Sequence, residues 1–196
     1  MTGLHHRSLG EGHMGNINIS GLIVVIGTPG SGKTRVAKLI AESLGCRYLN
    51  VGELSLEKGY VLGRDEERGS YIIDEERVRE ELSRIEDTIV VETISPYAIP
   101  QDKVSLVIVV RCRPSILLER LRGRGYSKSK IRENLEYEAI DGPLFDAMQI
   151  ADVDKIVEID GCEGNDEEIY DALRGIKKGV GRFNWSQDFL SILEEI

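Results

Sequence analysis

The sequence is poor in the residues that build metal clusters and disulfide-bonded frameworks. Its three cysteines are scattered, odd in number and never spaced C-x-x-C, so neither a zinc site nor a disulfide framework is indicated, and a reducing cytoplasm fits. All three histidines lie within the first 13 residues. We expect residues 1–15 to be a disordered extension, so no histidine is expected in an active site.

Long hydrophobic runs and an excess of positive charge are also missing. No apolar run approaches the roughly 18 residues that a membrane span needs, so no membrane association is predicted. The net charge of −9 argues against direct binding of nucleic acid through its phosphates, whereas a basic protein partner is compatible with it. The chain has 196 residues, and we expect residues 16–196 to form a single domain.

The stretch at 27–34, GTPGSGKT, indicates a phosphate-binding loop. It follows the apolar run at 22–26 and fits the pattern G-x-x-x-x-G-K-[ST] between a strand and a helix. Backbone N–H groups of such a loop surround a phosphate, while Lys33 reaches the transferable phosphate and Thr34 offers a hydroxyl to Mg²⁺. A chance glycine-rich turn is disfavoured by the Lys-Thr pair. ATP and Mg²⁺ are the predicted ligands, but GTPases, ATPases and small-molecule kinases share this loop.

Apolar segments alternate with helical patterns along the chain. Strands are predicted at 21–27, 47–49, 88–92, 104–110 and 153–159, and helices at 33–44, 75–85, 114–122, 166–176 and from 127 past 135, with a bend at 142–143. Loops and one short helix are expected at 50–70, over the mouth of the phosphate site, and a short amphipathic helix after 178. The alternation predicts an α/β fold, a three-layer P-loop NTPase fold whose five-stranded parallel sheet has helices on both faces.

A carboxylate beside the phosphate loop is the second candidate for the site. Glu92 ends the third predicted strand, a place from which a carboxylate holds Mg²⁺ directly or through water. The alternative is a charged residue that only marks the end of a strand. Asp74 competes for the metal role, but its place before a helix explains it as an N-cap.

Positive charge is concentrated between residues 111 and 132. Arg120 and Arg124 stand four residues apart, so they share a helix face and can both point at a nucleotide polyphosphate. We favour Arg124 as the group that stabilises the transition state. A solvated basic helix is the alternative, and it suits Arg113 and Arg122 better.

Five motifs give the chain a resemblance to a known family. They lie at 27–34, 48–54, 73–75, 120–126 and 134–138, the last with Asn134 and Glu138 at its ends. In order and spacing over residues 21–176 they resemble the adenylate kinase isoenzyme 6 family. Its members are short-lid nucleoside monophosphate kinases and ATPases that also act in maturation of the small ribosomal subunit. The resemblance implies a nucleoside monophosphate kinase-like fold.

The resemblance also implies ligand contacts and a partner. The expected ATP-binding residues are Gly27, Gly30, Ser31, Gly32, Lys33, Thr34, Arg35 and Arg124. An acceptor-binding segment is implied at about 50–73 and a short lid at about 123–133. The implied partner is the small-subunit ribosomal protein uS11, whose basic tail is compatible with the net charge of −9.

One departure from the family concerns ATP hydrolysis. The family often has Asp-x-His after the third strand, whereas this chain has Glu92, Thr93 and Ile94. The change keeps a carboxylate for the metal and removes an imidazole that helps to activate or position water. Hydrolysis is therefore in doubt, while phosphoryl transfer, which needs alignment and charge neutralisation, should remain.

The predicted function is phosphoryl transfer from ATP to AMP or a related monophosphate in the cytoplasm. The predicted catalytic residues are Lys33, Arg120 and Arg124, and the metal ligands are Thr34 and Glu92. Because no arginine soon follows the third strand, acceptor recognition is assigned to Arg64 or Arg68. Two alternatives stay open: an ATP-switched ribosome assembly factor with little kinase activity, and a kinase of another small metabolite.

Overall fold

The computed structural model describes residues 19–66, 69–176 and 179–196. The predicted extension at 1–15 and Arg68 lie outside the described residues. The strands are β1 Leu22–Gly27, β2 Arg47–Asn50, β3 Val61–Asp65, β4 Ser70–Ile73, β5 Ile89–Thr93, β6 Val104–Arg111 and β7 Ile156–Asp160. The helices are α1 Lys33–Leu44, α2 Val51–Lys58, α3 Glu75–Ser83, α4 Pro114–Gly123, α5 Lys128–Ala139, α6 Gly142–Met148, α7 Asp166–Leu173 and α8 Ser186–Ser191.

Five of the strands form one parallel sheet. Its order is β2-β5-β1-β6-β7, and every neighbouring pair runs parallel. β1 is buried along its whole length, as expected for a strand that helices cover on both faces. The predicted α/β fold with a five-stranded parallel sheet is therefore confirmed.

The two faces of the sheet have separate hydrophobic cores. Leu22, Val24 and Ile26 of β1 belong to one core, which α3 and α6 cover. Ile23 and Val25 belong to the other, which α1 and α7 cover. Alternate residues of one strand thus serve opposite faces, and the molecule has three layers.

Helix boundaries follow local signals in the sequence. α1 covers the predicted range, and Gly45 ends it at φ 62°, a conformation that glycine adopts readily. The helix predicted from 127 is two helices, because Asp141 takes a left-handed φ of 60° between α5 and α6. Ser127 caps α5 by accepting a hydrogen bond from the Lys130 N–H at 3.3 Å.

The segment at 50–70 was predicted incompletely. The one short helix is α2, which Asn50 caps. After it, however, β3 and β4 form an antiparallel hairpin instead of loops. The pattern concealed the hairpin because Gly63 and a run of charges at 64–68 are unfavourable in strands. Smaller differences are a helical turn at Val153–Lys155 in place of the start of β7 and earlier ends of α3 and α7.

The expectation of no disulfide was wrong. Cys112 and Cys162 are bonded, with Cα atoms 5.3 Å apart, and Cys46 is free. Arg111 of β6 pairs with Asp160 of β7, so the residues just beyond the two strands lie side by side. The 50 residues between the cysteines conceal this proximity in the sequence.

The short helix predicted after residue 178 is α8, and the C-terminal segment docks on the helices that follow β6. Ile192 packs with residues of α4 and α5, among them Leu118 and Ile131. The Asp188 carboxylate accepts the Ser115 backbone N–H at 2.8 Å. A distant residue thus caps the first turn of α4. Across the described ranges, no helix is long and apolar enough to cross a membrane.

Removal of the disulfide tests its contribution to stability. It closes a loop of 50 residues, for which chain entropy gives about 4 kcal/mol of stabilisation. Cys162→Ser should lower the free energy of unfolding, measured by denaturant titration, by up to about this amount. Cys46→Ser, which breaks no bond, is the matched control. Equal stability of Cys162→Ser and the wild type would contradict the bond's contribution.

Candidate active site

The phosphate loop joins β1 to α1, and glycine conformations shape it. Gly30 and Gly32 have φ values of 92° and 101°, which L side chains rarely adopt. A Cβ on Gly32 would lie 2.9 Å from the Gly161 carbonyl oxygen. The Ser31 N–H donates to the Thr28 carbonyl oxygen at 3.0 Å, closing the turn. Any larger residue at position 32 would displace the loop.

Lys33, the first residue of α1, holds a buried ammonium. Its side chain is 8% exposed, and Nζ lies 3.5 Å from the Thr28 carbonyl oxygen. Burial lowers the pKa of Lys33 to about 8, and Arg124 also lowers it, while Glu92 and Glu138 raise it. Within the described part of the chain, no carboxylate forms an ion pair with this ammonium. A phosphate in the loop would supply the missing negative charge.

Thr34, at the start of α1, and Glu92 of β5 are hydrogen-bonded to each other. The Thr34 hydroxyl donates to one carboxylate oxygen of Glu92 at 2.8 Å, and the Tyr48 hydroxyl donates to the other. Glu92 is 5% exposed and pairs with Val25 in the sheet. A hydroxyl and one carboxylate fit Mg²⁺, which takes few protein ligands and keeps waters and phosphate oxygens. The described residues include no group of three or more His, Cys, Asp or Glu suited to a metal.

Asp74 has a structural role. Its carboxylate accepts the Arg77 backbone N–H at 3.2 Å at the start of α3, and it also pairs with the Arg77 side chain. The predicted N-cap is confirmed.

The two arginines of the predicted pair both lie near the phosphate loop. Arg120 donates from Nη1 to the Gly30 carbonyl oxygen at 3.0 Å. Arg124 ends α4, is exposed, and lies near enough to Lys33 for its charge to lower the lysine pKa. The structure therefore gathers three cations around one loop.

Three other arginines are held by carboxylates. Arg113 pairs with Glu163 at 3.1 Å, and Arg122 pairs with Glu119 and Glu195. Both side chains are partly exposed to solvent, which agrees with the alternative of a solvated basic helix for these two residues. Arg35, an expected ATP contact, is exposed and pairs with Asp166 at 2.5 Å, so a nucleotide would have to compete for it.

A buried ionic cluster next to the loop was missed by the sequence reasoning. Arg111, Glu138 and Glu158 are all fully buried. Arg111 donates to Glu138 at 2.8 Å, to Glu158 at 2.5 Å and to Asp141 at 2.7 Å. Burial raises the pKa of Glu138, and Arg111 opposes that rise. The available signal was an arginine at the end of the strand β6, directly after the apolar run at 106–110.

The segment implied for the acceptor has an exposed apolar surface. Leu62, Tyr71 and Ile72 of the hairpin are at least half exposed. Arg64 lies over the Tyr71 ring at 6.0 Å and 3.9 Å from Glu66. No described contact joins Arg64 to the phosphate loop.

Comparison with known proteins gives the family. A family model described as "AAA domain" matches residues 23–141. A protein named "Putative adenylate kinase" from Pyrococcus abyssi is 38% identical over 178 residues, covering 88% of this chain and 95% of the relative. The chain belongs to the adenylate kinase-like family of nucleoside monophosphate kinases. A relative of the same name from Saccharolobus solfataricus is 37% identical over 182 residues, covering 89% of this chain and 95% of its own.

The fold of this adenylate kinase-like protein is also found in solved structures. Shikimate kinase from Acinetobacter baumannii has a TM-score of 0.52 at 19% identity, covering 80% of this chain and 90% of its own. Shikimate kinase from Bacteroides thetaiotaomicron has a TM-score of 0.51 at 16% identity. The match covers 80% of this chain and 96% of the shikimate kinase. The fold is thus that of the P-loop nucleotide kinases. Because its relatives are named as adenylate kinases and its fold is that of kinases, the protein is a phosphotransferase.

The buried ammonium predicts how nucleotide binding varies with pH. Lys33 loses its proton near pH 8 in the free protein, and a bound polyphosphate would raise that pKa by attraction. Affinity for MgATP should therefore be highest below pH 8 and weaken by up to about tenfold per pH unit above it.

Calorimetric titrations between about pH 7 and about pH 9.5 measure this dependence, with proton uptake expected on binding. Lys33→Arg keeps its charge over that range and should flatten the profile. The same slope in both proteins would show that another group is responsible.

Proposed function

We propose that the protein transfers the γ-phosphoryl group of ATP to AMP or a related nucleoside monophosphate, giving two diphosphates. The observation that carries the proposal is the convergence on one loop of Lys33, Arg120 and Arg124, beside the Thr34–Glu92 pair. Phosphoryl transfer depends mainly on alignment and on neutralising charge. This arrangement supplies both, and the adenylate kinase relatives favour a nucleotide acceptor.

Each loop residue has a proposed role with ATP. Backbone N–H groups of Gly27, Gly30, Ser31 and Gly32 surround the phosphates. Thr34 and Glu92 hold Mg²⁺ or its water, and the ion, when bound, neutralises phosphate oxygens.

The cations act on the phosphoryl group that moves. The Lys33 ammonium and the Arg124 guanidinium stabilise charge that develops on it in the transition state. Arg120, bonded to the Gly30 carbonyl oxygen, holds the loop and adds positive charge. Arg35 contacts ATP after release from Asp166.

The acceptor is proposed to bind along residues 50–73, which include the hairpin. Arg64 or Arg68 would contact its phosphate, and the exposed Tyr71 ring offers a surface on which a base can stack. Residues 123–133 would close over the donor as a short lid. Another small metabolite remains the alternative acceptor.

Hydrolysis of ATP is proposed to be slow relative to transfer. Ile94 stands where the family pattern has a histidine, and it is 64% exposed. Its alkyl side chain cannot orient or deprotonate a water molecule. ATPase activity would then depend on Glu92 alone.

A second proposed function is assembly of the small ribosomal subunit, as in the isoenzyme 6 family. In this function, ATP switches docking to uS11. The net charge of −9 supports a basic protein tail as the partner. A cytoplasmic location is part of this proposal. There, the full burial of Cys112 would leave only the partly buried Cys162 open to attack by a reducing thiol.

Acceptor assays beside binding assays separate these functions. Wild-type protein is given MgATP with AMP, CMP or no acceptor, and Lys33→Ala serves as the inactive control. A parallel pull-down uses the basic tail of uS11. Fast transfer to AMP without tail binding supports the kinase alone. Nucleotide-dependent tail binding without transfer would replace the kinase proposal by the assembly factor.

Removal of Arg124 tests the proposed transition-state contact. Arg124→Ala should lower kcat by about 10²- to 10³-fold. The dissociation constant of ATP should change much less, because the contact strengthens as charge develops. Arg122→Ala is the matched control, since Arg122 is held by Glu119 and Glu195. A loss of ATP affinity with unchanged kcat would contradict this role.

A further inference from the structure

A buried carboxylate connects α5 to the phosphate loop. Glu138 lies in the last turn of α5 and is 0% exposed. One of its oxygens accepts the Thr28 hydroxyl, 110 residues away in the chain. The other accepts Arg111 Nε at 2.8 Å and the Cys112 backbone N–H at 3.1 Å. Both oxygens are therefore fixed by donors from the loop and from the end of β6.

The residue that Glu138 holds is the one that contacts the lysine. Thr28 is fully buried as the second residue of the loop. Its carbonyl oxygen accepts the Ser31 N–H at 3.0 Å and lies 3.5 Å from Lys33 Nζ. The Thr28 side chain and carbonyl group thus link the Glu138 carboxylate to the ammonium. A shift of the carboxylate would displace the carbonyl oxygen beside Lys33.

The opposite end of α5 follows Arg124 closely in the chain. The helix has 12 residues and is about 18 Å long. Its N-cap, Ser127, follows Arg124 by three residues. Leu135 packs with Leu121 of α4 in one buried cluster. α5 therefore joins the arginine at one end to the phosphate loop at the other.

The ion pairs of this cluster contribute more to fixing the position of Glu138 than to the free energy of unfolding. A buried ion pair regains in attraction little more than it loses in desolvation. Arg111 divides its donors among Glu138, Glu158 and Asp141, so the Glu138 carboxylate has a single satisfied orientation. Such a network specifies a position, which phosphoryl transfer requires of Lys33.

We propose that Glu138 is a positioning residue for phosphoryl transfer. It fixes the position of Thr28 relative to α5 and Arg124. Through Thr28 it also fixes the position of the Lys33 ammonium. This inference rests on the proposed function, because its test measures turnover with ATP and AMP.

Isosteric variants of Thr28 test the hydrogen bond. Thr28→Val removes only the hydroxyl and should lower kcat by about 10- to 100-fold, with the KM for ATP changed less than about threefold. Thr28→Ser keeps the hydroxyl and should restore kcat. Thr88→Val is the matched control: its hydroxyl donates to the Ile19 carbonyl oxygen at 2.8 Å, before β5 and away from the loop. It should lower the melting temperature and leave kcat unchanged.

A second variant retracts the carboxylate itself. Glu138→Asp keeps the negative charge and should lower kcat as Thr28→Val does. If Thr28→Val does not fold, Glu138→Asp still tests the hydrogen bond between residues 28 and 138. Wild-type kcat in a folded Thr28→Val or Glu138→Asp protein would overturn the proposal, as would equal losses in Thr28→Val and Thr88→Val. Absence of wild-type turnover with every acceptor would instead refute the proposed function.

Discussion

The site depends on a buried ammonium that the described chain does not neutralise. Lys33 is held in the first turn of α1 with a carbonyl oxygen beside it and no carboxylate in ion-pair contact among the residues described. Burial of an unpaired cation is costly, and here it lowers the pKa of the lysine. The phosphate loop therefore favours binding of an anion. The bound anion would supply the negative charge that the described residues do not place beside Lys33.

The parallel sheet places the remaining groups around this ammonium. β1 leads into the loop, β5 beside it carries Glu92, and β6 on its other side ends at Arg111. Parallel strands deliver their carboxyl ends to one edge, where α/β proteins bind ligands. α4 then returns Arg120 to the loop. Glu138, at the end of α5, joins the same region through its hydrogen bond from Thr28.

The sequence predicted what depends on local pattern and could not predict what depends on distant neighbours. The loop, α1 and the position of Glu92 followed from spacing and apolar runs. The hairpin was missed because Gly63 and neighbouring charges weaken a strand pattern. The bond between Cys112 and Cys162, and the meeting of Glu138 with the loop, arise only when strands and helices are placed together. The four-residue spacing of Arg120 and Arg124 already separated this pair from Arg113 and Arg122, which carboxylates hold.

All of these roles require the loop at 27–34 to bind a magnesium-bound triphosphate. Titration of the wild-type protein with MgATP, followed by calorimetry at neutral pH, tests it most directly. We expect one saturable site per chain, and we expect this binding to be lost when a chelator is added to the Lys33→Ala variant. No heat of binding and no displacement by ADP would contradict it, and with it every role given to the residues around the loop.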